Sequence, residues 1–322
     1  MRQVYALVKR HFKCFFKTQT NFFFALMVPV CSILIYLIFL RSLEQNSVMS
    51  LMQQVIQHPS DSLINAAYGL VDAWMLSGII GLTCITVSLN TCYVVLKDRE
   101  QGVVKDFASS PIKNRTLIAS YMIFNFLVTF VIVMLIYFIC IAILACYKVF
   151  VITSFLNFLL TVCAIIVGII VSSLLTFFII NFFSNNDSFN SVIAIFSAGA
   201  GFVIGTYMPL SMLSGFAVVS GFLPGTYSVA LLRKLFLESQ FNNVMATLEG
   251  IPEGQQVVEK INSTFTWDVK FCNMNVKPEL FWAVLAGFIV LFGLINLIFT
   301  NHNMQVRLLG KPQRQKKAKK TA

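Results

Sequence analysis

The stretch DAWMLSGIIGLTCITVSLNTCYVVLKDRE, residues 72–100, decides how the rest of the chain is read. No charge falls between Asp72 and Lys97, and Ala73–Leu96 exceeds the ~20 apolar residues that a helix needs to cross a hydrocarbon core. A helix that is apolar all round belongs in lipid or in the middle of a bundle, not on a soluble surface. Working outward, the same test finds further spans at 22–40, 118–146, 155–183, 192–208 and 281–300. The expected fold is therefore an all-α membrane protein of six transmembrane helices.

Composition agrees. The chain is 57% hydrophobic and 11% charged, against roughly 25% charged in soluble proteins, and its mean hydropathy is +0.80. Too little charge is present to coat a soluble exterior. The net charge of +11 does not point to nucleic acid, because of where it lies. Segments 1–21, 97–117 and 301–322 hold most of the Lys and Arg, whereas 41–72, 147–154 and 209–280 taken together hold more acids than bases. By the positive-inside rule the basic segments face the cytoplasm, with both termini on that side of the cell membrane. The division is thus 1–21 as a cytoplasmic amphipathic helix, 22–300 as the multi-pass domain, and 301–322 as a basic tail. The start carries no small-residue cleavage site of a signal peptide. The eight cysteines show neither disulfide nor metal-ligand spacing.

The stretch 188–232 carries no charge and has room for two spans. Pro209, Gly215, Gly221, Pro224 and Gly225 interrupt its second half, and a seventh span would carry the basic tail outside. Leu210–Arg233 is therefore read as a broken, partly re-entrant outer segment, which survives at membrane depth only against protein or a cavity. It opens an external loop, 209–280, whose part 234–279 is of mixed charge and carries the sequon Asn262-Ser263-Thr264. Residues 41–72 are polar, with a short helix expected.

Two segments carry candidate functional residues. In 1–21, Val4, Leu7, Val8, His11, Phe12 and Phe15 fall on one helical arc and Arg2, Lys9, Arg10, Lys13 and Lys17 on the other. This is an interfacial helix with its cations toward lipid phosphates, or simply an anchor that sets topology. In 97–111, Val103, Val104 and Phe107 share a face, Lys105 and Asp106 point away, and Pro111 ends the helix. A short flat helix of this kind suits docking onto another protein, or is an ordinary turn. The Phe-rich spans read as packing and lipid contact, and Asn90, Thr91, Ser120, Asn125, Asn157, Thr161 and Asn181 as glue between helices.

Absences narrow the function. No expected span holds an Asp, Glu, Lys, Arg or His, which disfavours an ion-coupled carrier. His11, His58 and His302 form no zinc motif, and no phosphate loop is present. No catalytic, cofactor or metal residue is assigned, so the chain is not expected to be an enzyme, and any ATPase is another chain.

Together these features resemble the permease subunits of type-2 ATP-binding-cassette (ABC) exporters, which include bacterial antibiotic, drug, lipid and polysaccharide exporters. The resemblance rests on the basic helix Tyr5 to Lys17 before Asn21-Phe22-Phe23-Phe24, and on Asp72-Ala73-Trp74-Met75-Leu76-Ser77-Gly78. It rests also on Asp98-Arg99-Glu100, Lys105-Asp106-Phe107, Ser110-Pro111-Ile112-Lys113 and Leu223-Pro224-Gly225-Thr226-Tyr227. The segment 234–279 is longer than in minimal members. The resemblance implies a coupling helix over 99–110, with Arg99, Glu100, Gly102, Lys105, Asp106, Phe107 and Pro111, seated on a separate ATPase subunit that binds ATP and Mg. It implies a connecting helix with Lys9, Arg10, Lys13 and Lys17, and an outer gate with Pro209, Pro224, Gly225 and Tyr227. It also implies a second permease copy or paralogue, and export of a hydrophobic or amphipathic substrate such as a drug, toxin, peptide or lipid-like molecule. A non-transporting regulatory or sensory protein of the same fold stays open, as does, further off, an intramembrane enzyme.

Overall fold

The computed structural model describes residues 2–17, 19–110, 112–183, 185–209, 218–249, 251, 254–271 and 274–308. Its centre is helix α4, Asp61–Thr91, which continues through Cys92 into α5, Tyr93–Glu100. Ser60 caps α4 by accepting from the Leu63 amide. Every residue from Gly69 to Leu89 is buried, as expected of the middle helix of a bundle. The helix starts earlier than the expected span because its first turns pack against α3 instead of lying in a loop.

Around α4–α5 stand α1 (Arg2–Lys17), α2 (Gln19–Ile35), α3 (Arg41–Gln53), α6 (Val103–Ala108), α7 (Asn114–Cys146) and α8 (Phe155–Ile180). They are followed by α9 (Asn186–Val203), α10 (Pro224–Thr247), α11 (Gly254–Thr264) and α12 (Phe281–Leu308). A π turn, Tyr36–Leu40, joins α2 to α3, so the first span prolongs into the polar stretch. A small antiparallel hairpin, β1 (Val269–Phe271) with β2 (Met274–Val276), interrupts the otherwise helical architecture. Among the described residues, five helices are long and apolar enough to cross a membrane: Phe22–Gln53, Asp61–Glu100, Asn114–Cys146, Phe155–Ile180 and Pro278–Ile298. α7 shows the lipid pattern plainly. Its buried Tyr121, Phe124, Val128, Ile132 and Ile136 alternate with exposed Ile123, Leu127, Val131 and Leu135, equally apolar.

Two boundaries differ from the sequence expectation. α9 covers Asn186–Val203 instead of 192–208. Asn185 accepts from the Ser188 amide and so starts the helix early, and Gly205, at φ 75°, turns the chain away after its end. The stretch read as broken as far as Arg233 is helical from Pro224 onward. Proline breaks a helix only in its interior, and Pro224 stands in the first turn, where no hydrogen bond is lost. Residues 210–217 of that stretch lie outside the described residues.

α10 packs closely along α4, with glycines at the seam. A Cβ on Gly81 would collide with Val229, and one on Gly225 with Ile85. At Gly78 it would stand 3.0 Å from Arg233 Nη2 and 3.2 Å from Thr206. Small residues here let two backbones approach where no side chain fits. Between α4, α7 and α8, Asn125 ties three helices. Its Oδ1 accepts from Ser88 Oγ (2.9 Å) and Ser173 Oγ (2.7 Å), and its Nδ2 donates to the Ser88 carbonyl (2.8 Å).

Candidate functional site

The candidate site is the end of the bundle where α1, α5 and α6 meet, here called the basic end. α5 stops at Glu100, and Gly102 takes φ 73°, a left-handed conformation that glycine adopts freely. No neighbour lies within 4 Å of a Cβ placed there, so the backbone angle, not space, calls for glycine. α6 then runs over 103–108 alone, so the flat helix is shorter than the expected 99–110. Val104 is buried, Val103 and Phe107 are half-buried, and Asp106 is exposed, as the shared-face reading requires. Lys105 lies on α6, and Pro111 falls outside the described residues.

Arg99 and Glu100 point back into the protein. Arg99 Nη1 donates to the carbonyls of Ile180 (3.0 Å) and Phe183 (3.4 Å), satisfying groups left over at the end of α8. Glu100 accepts from the backbone amide (2.5 Å) and the Nδ2 (2.6 Å) of Asn186 at the start of α9. A carboxylate suits the positive end of the helix dipole and a guanidinium the negative end. The tip of α5 thus pins the ends of α8 and α9.

α1 is seated by two separate devices. Its apolar arc buries Leu7, Val8, His11 and Phe15. On the opposite arc Lys9, Lys13 and Lys17 are exposed, but Arg10 turns inward and not toward lipid. Its guanidinium forks onto Asp98, with Nη2 2.7 Å from Oδ1 and Nη1 on Oδ2. Tyr121 of α7 donates to the same Oδ2 at 2.5 Å, and the Arg10 guanidinium lies over the Phe107 ring of α6, 5.3 Å from its centre. The hydrogen bond to Asp98 raises the Arg10 pKa against the opposing effect of burial, so the guanidinium stays charged.

His11 sits beside it. Ser120 Oγ gives its proton to the Leu117 carbonyl at 2.6 Å, so His11 Nε2, 3.0 Å away, is the donor to that hydroxyl. Nδ1 then faces Arg10 Nη1 at 3.4 Å as an acceptor, and the ring stacks on Tyr121 at 4.1 Å. Burial, with Arg10 second, pulls the His11 pKa down to about 4, so the ring is neutral. A small cavity adjoins, lined by Val95, Arg99, Tyr121, Phe177, Asn181 and Asn296 among others.

The expected gate residues lie elsewhere, where α10 begins. Pro209, Pro224, Gly225 and Tyr227 are all buried. Tyr227 Oη donates to the Gly221 carbonyl at 2.8 Å and Thr226 Oγ1 to that of Ser220 at 2.7 Å, fastening the helix start to the preceding turn. Higher on α10, Arg233 stacks on Trp74 at 3.7 Å and donates to the Gly205 carbonyl at 2.6 Å. At the far end of α4, Arg41 forks onto Asp72 (3.0 Å at each oxygen), and Tyr36 donates to the same carboxylate. Sequence reasoning assigns no pairing to Arg41, Asp72 or Arg233. The available signal was that Arg41 and Asp72 flank consecutive antiparallel spans, which places them at one depth. Among the described residues, no cluster of three His, Cys, Asp or Glu could hold a metal.

An apolar helical bundle, with lipid-like side chains outside and polar ties within, defines an integral membrane protein. The profile of the ABC-2 type transporter family matches residues 2–237, and the chain belongs to that family. It is therefore a membrane transport component, whose family partner is an ABC ATPase subunit. No curated protein matches the chain.

Proposed function

We propose that this chain is the membrane-spanning subunit of an ATP-driven exporter in the cell membrane, with both termini in the cytoplasm. ATP and Mg bind, and ATP is hydrolysed, on the separate ATPase subunit. The observation that carries this reading is α6, a short helix with Val104 inward and Asp106 in solvent, which follows directly on the tip of α5 that pins the ends of α8 and α9. Asp106 and Lys105 are the groups that meet the ATPase, while Arg99 and Glu100 hold the platform beneath them. The exposed Lys9, Lys13 and Lys17 face lipid phosphates.

α9 supplies the sixth crossing, and the described residues 218–223, with the start of α10, belong to the re-entrant segment. Its support is that Gly225 packs on Ile85, in the apolar part of α4, and that Ser220, Gly221 and Pro224 beside it are buried against protein while Val218, Val219 and Phe222 stay exposed. A second permease, identical or paralogous, completes the path, and this segment gates its outer end. The uncharged spans favour a hydrophobic or amphipathic cargo: a drug, toxin, peptide or lipid-like molecule. Nucleotide shifts the balance between two bundle states by drawing the α6 helices together.

Purification of the chain with its chromosomally adjacent ATPase tests the reading. The two are expected to co-purify, and Asp106→Arg to lower the amount of ATPase retained about tenfold, a loss of roughly 1.4 kcal/mol. If the wild-type chain brings down no nucleotide-binding subunit, the proposal is wrong.

A further inference from the structure

A partner pressing on α6 must move something larger than α6, which is only the six residues 103–108. The structure supplies one linkage built for that. Arg10 lies over Phe107 of α6, forks onto Asp98 of α5, and through that carboxylate meets the Tyr121 hydroxyl of α7. Four helices therefore converge on one guanidinium and one carboxylate. The Asp98 side chain is 4% exposed and that of Arg10 31%, so the acceptor is dry while the donor reaches in from the surface. A bidentate charge-assisted pair fixes both distance and plane, which a single lysine contact does not.

α1 does not need this pair in order to stay on the bundle. Leu7, Val8, His11 and Phe15 already bury its apolar arc, and His11 and Phe15 pack on α7. The fork leaves from the other side of α1 and runs toward α5 and α6. Seating and linkage are thus carried by different side chains.

We propose that Arg10 and Asp98, with Tyr121, are positioning residues that transmit the displacement of α6 into α1, α5 and α7. The assignment rests on the exporter reading above, and makes the Arg10–Asp98 fork the point where nucleotide-driven motion enters the bundle. When α6 moves, Phe107 carries the guanidinium with it and Asp98 follows. Because α5 also pins the ends of α8 and α9 through Arg99 and Glu100, the displacement spreads to four membrane helices. Without the fork, α6 is left with its apolar face and the two-residue turn to α5, and less of its displacement reaches the bundle.

Hydrogen exchange, read by mass spectrometry on the permease–ATPase complex in nanodiscs with and without Mg-ATP-vanadate, separates these roles. In the wild type, nucleotide trapping is expected to change exchange both at 103–108 and at the distant turn 204–209. In Arg10→Gln and Asp98→Asn, the change at 103–108 should persist. The change at 204–209 should fall about fivefold or more, the lower end of an allosteric coupling. ATP hydrolysis by the complex should continue. Arg10→Lys, which keeps the charge without the fork, should fall between. A purely structural role would instead raise exchange along α1 without nucleotide and leave the response at 204–209 at its wild-type size, and that result overturns the proposal. If Arg10→Gln fails to assemble, Arg10→Lys and Tyr121→Phe decide, and a wild-type response in both overturns it. A wild-type complex with no response at 103–108 overturns the exporter reading, and the linkage with it. A response there with none at 204–209 overturns the linkage alone.

Discussion

Two buried aspartates stand near opposite ends of the α4–α5 rod, and each is held by the same set of groups. Asp72 receives the Arg41 fork and the Tyr36 hydroxyl, with the Arg41 guanidinium 3.6 Å from the centre of the Tyr147 ring. Asp98 receives the Arg10 fork and the Tyr121 hydroxyl, with Arg10 over Phe107. The origin of the donors differs. Tyr36 and Arg41 are neighbours on one continuous helix, five residues apart across the π turn. The i→i+5 winding of such a turn sets both on one face, which straight α-helical winding would not. Asp72 therefore joins two helices directly, and its guanidinium partner reaches only Tyr147, the residue that caps the end of α7. The donors of Asp98 come from α1 and α7, and its guanidinium touches α6 as well. The same chemistry makes a rivet at one end and a joint at the other.

The largest expected effect tests whether the two ends are equal in stability. Arg41→Met or Arg10→Met leaves a carboxylate dry and unpaired, which costs about 3–5 kcal/mol in thermal unfolding of the purified chain. Replacing both partners, Arg41→Met with Asp72→Leu or Arg10→Met with Asp98→Leu, should restore most of that loss, because a buried pair is worth little over an apolar isostere. The comparison is sharpened by what the double variants do next. The Asp72 variant keeps its response to nucleotide, and the Asp98 variant does not. If both lose it or both keep it, the ends do not differ in role.

How far the sequence disclosed this arrangement follows from the range of each interaction. Spans are local and were legible from hydropathy, as was the arc of α1 that buries Leu7, Val8, His11 and Phe15, and the inward face of Val104 and Phe107. The Arg10 side chain was misread as lipid-facing, because its partner lies 88 residues away and no periodicity reports it. Asp72 was treated as the boundary of a span, although it lies 2% exposed inside the bundle. α10 was concealed by its composition. Pro224 and Gly225 are breakers in an isolated helix, but here they are a helix start and a close contact with Ile85. Tertiary packing overrode propensity at the position where two helices approach most closely.

Acidification should act on the seat of α1. His11 is neutral, with its pKa lowered to about 4 from an ordinary value near 6.5, so the docked form resists taking a proton. The groups facing it are Arg10 on its own helix, Asp98 on α5, and Ser120 and Tyr121 on α7. Asp98 favours the charged ring, but burial and Arg10 outweigh it. The stability this neutral ring confers is fully present above pH 6.5 and is lost progressively as pH falls toward 4. The loss reaches about 3 kcal/mol at its limit. Limited trypsin cleavage at Lys13 and Lys17 is measured relative to an unstructured control peptide at each pH, because trypsin itself slows on acidification. It is expected to rise between pH 7 and pH 5 in the wild type and to stay level in His11→Phe. Cleavage at a constant rate in the wild type would show that α1 stays docked without its neutral histidine.

The smallest effect separates Arg10 from the other cations of its helix. Lys9, Lys13 and Lys17 are exposed, and neutralising each should change stability by no more than about 0.5 kcal/mol. Their attraction to an anionic bilayer, about 1 kcal/mol per lysine near the surface, exists only where the lipid is charged. A variant with all three replaced by Gln should therefore match the wild type in nanodiscs of neutral lipid, and show weaker protection of α1 from hydrogen exchange in nanodiscs rich in anionic lipid. Arg10→Gln behaves differently, because Asp98 and not lipid is its partner: its effect should be the same in both bilayers and should survive salt that screens the lysines. If Arg10→Gln instead follows lipid charge as the lysines do, the fork opens in the bilayer, and Asp98 is then no different from an ordinary hydrated carboxylate at the end of a span.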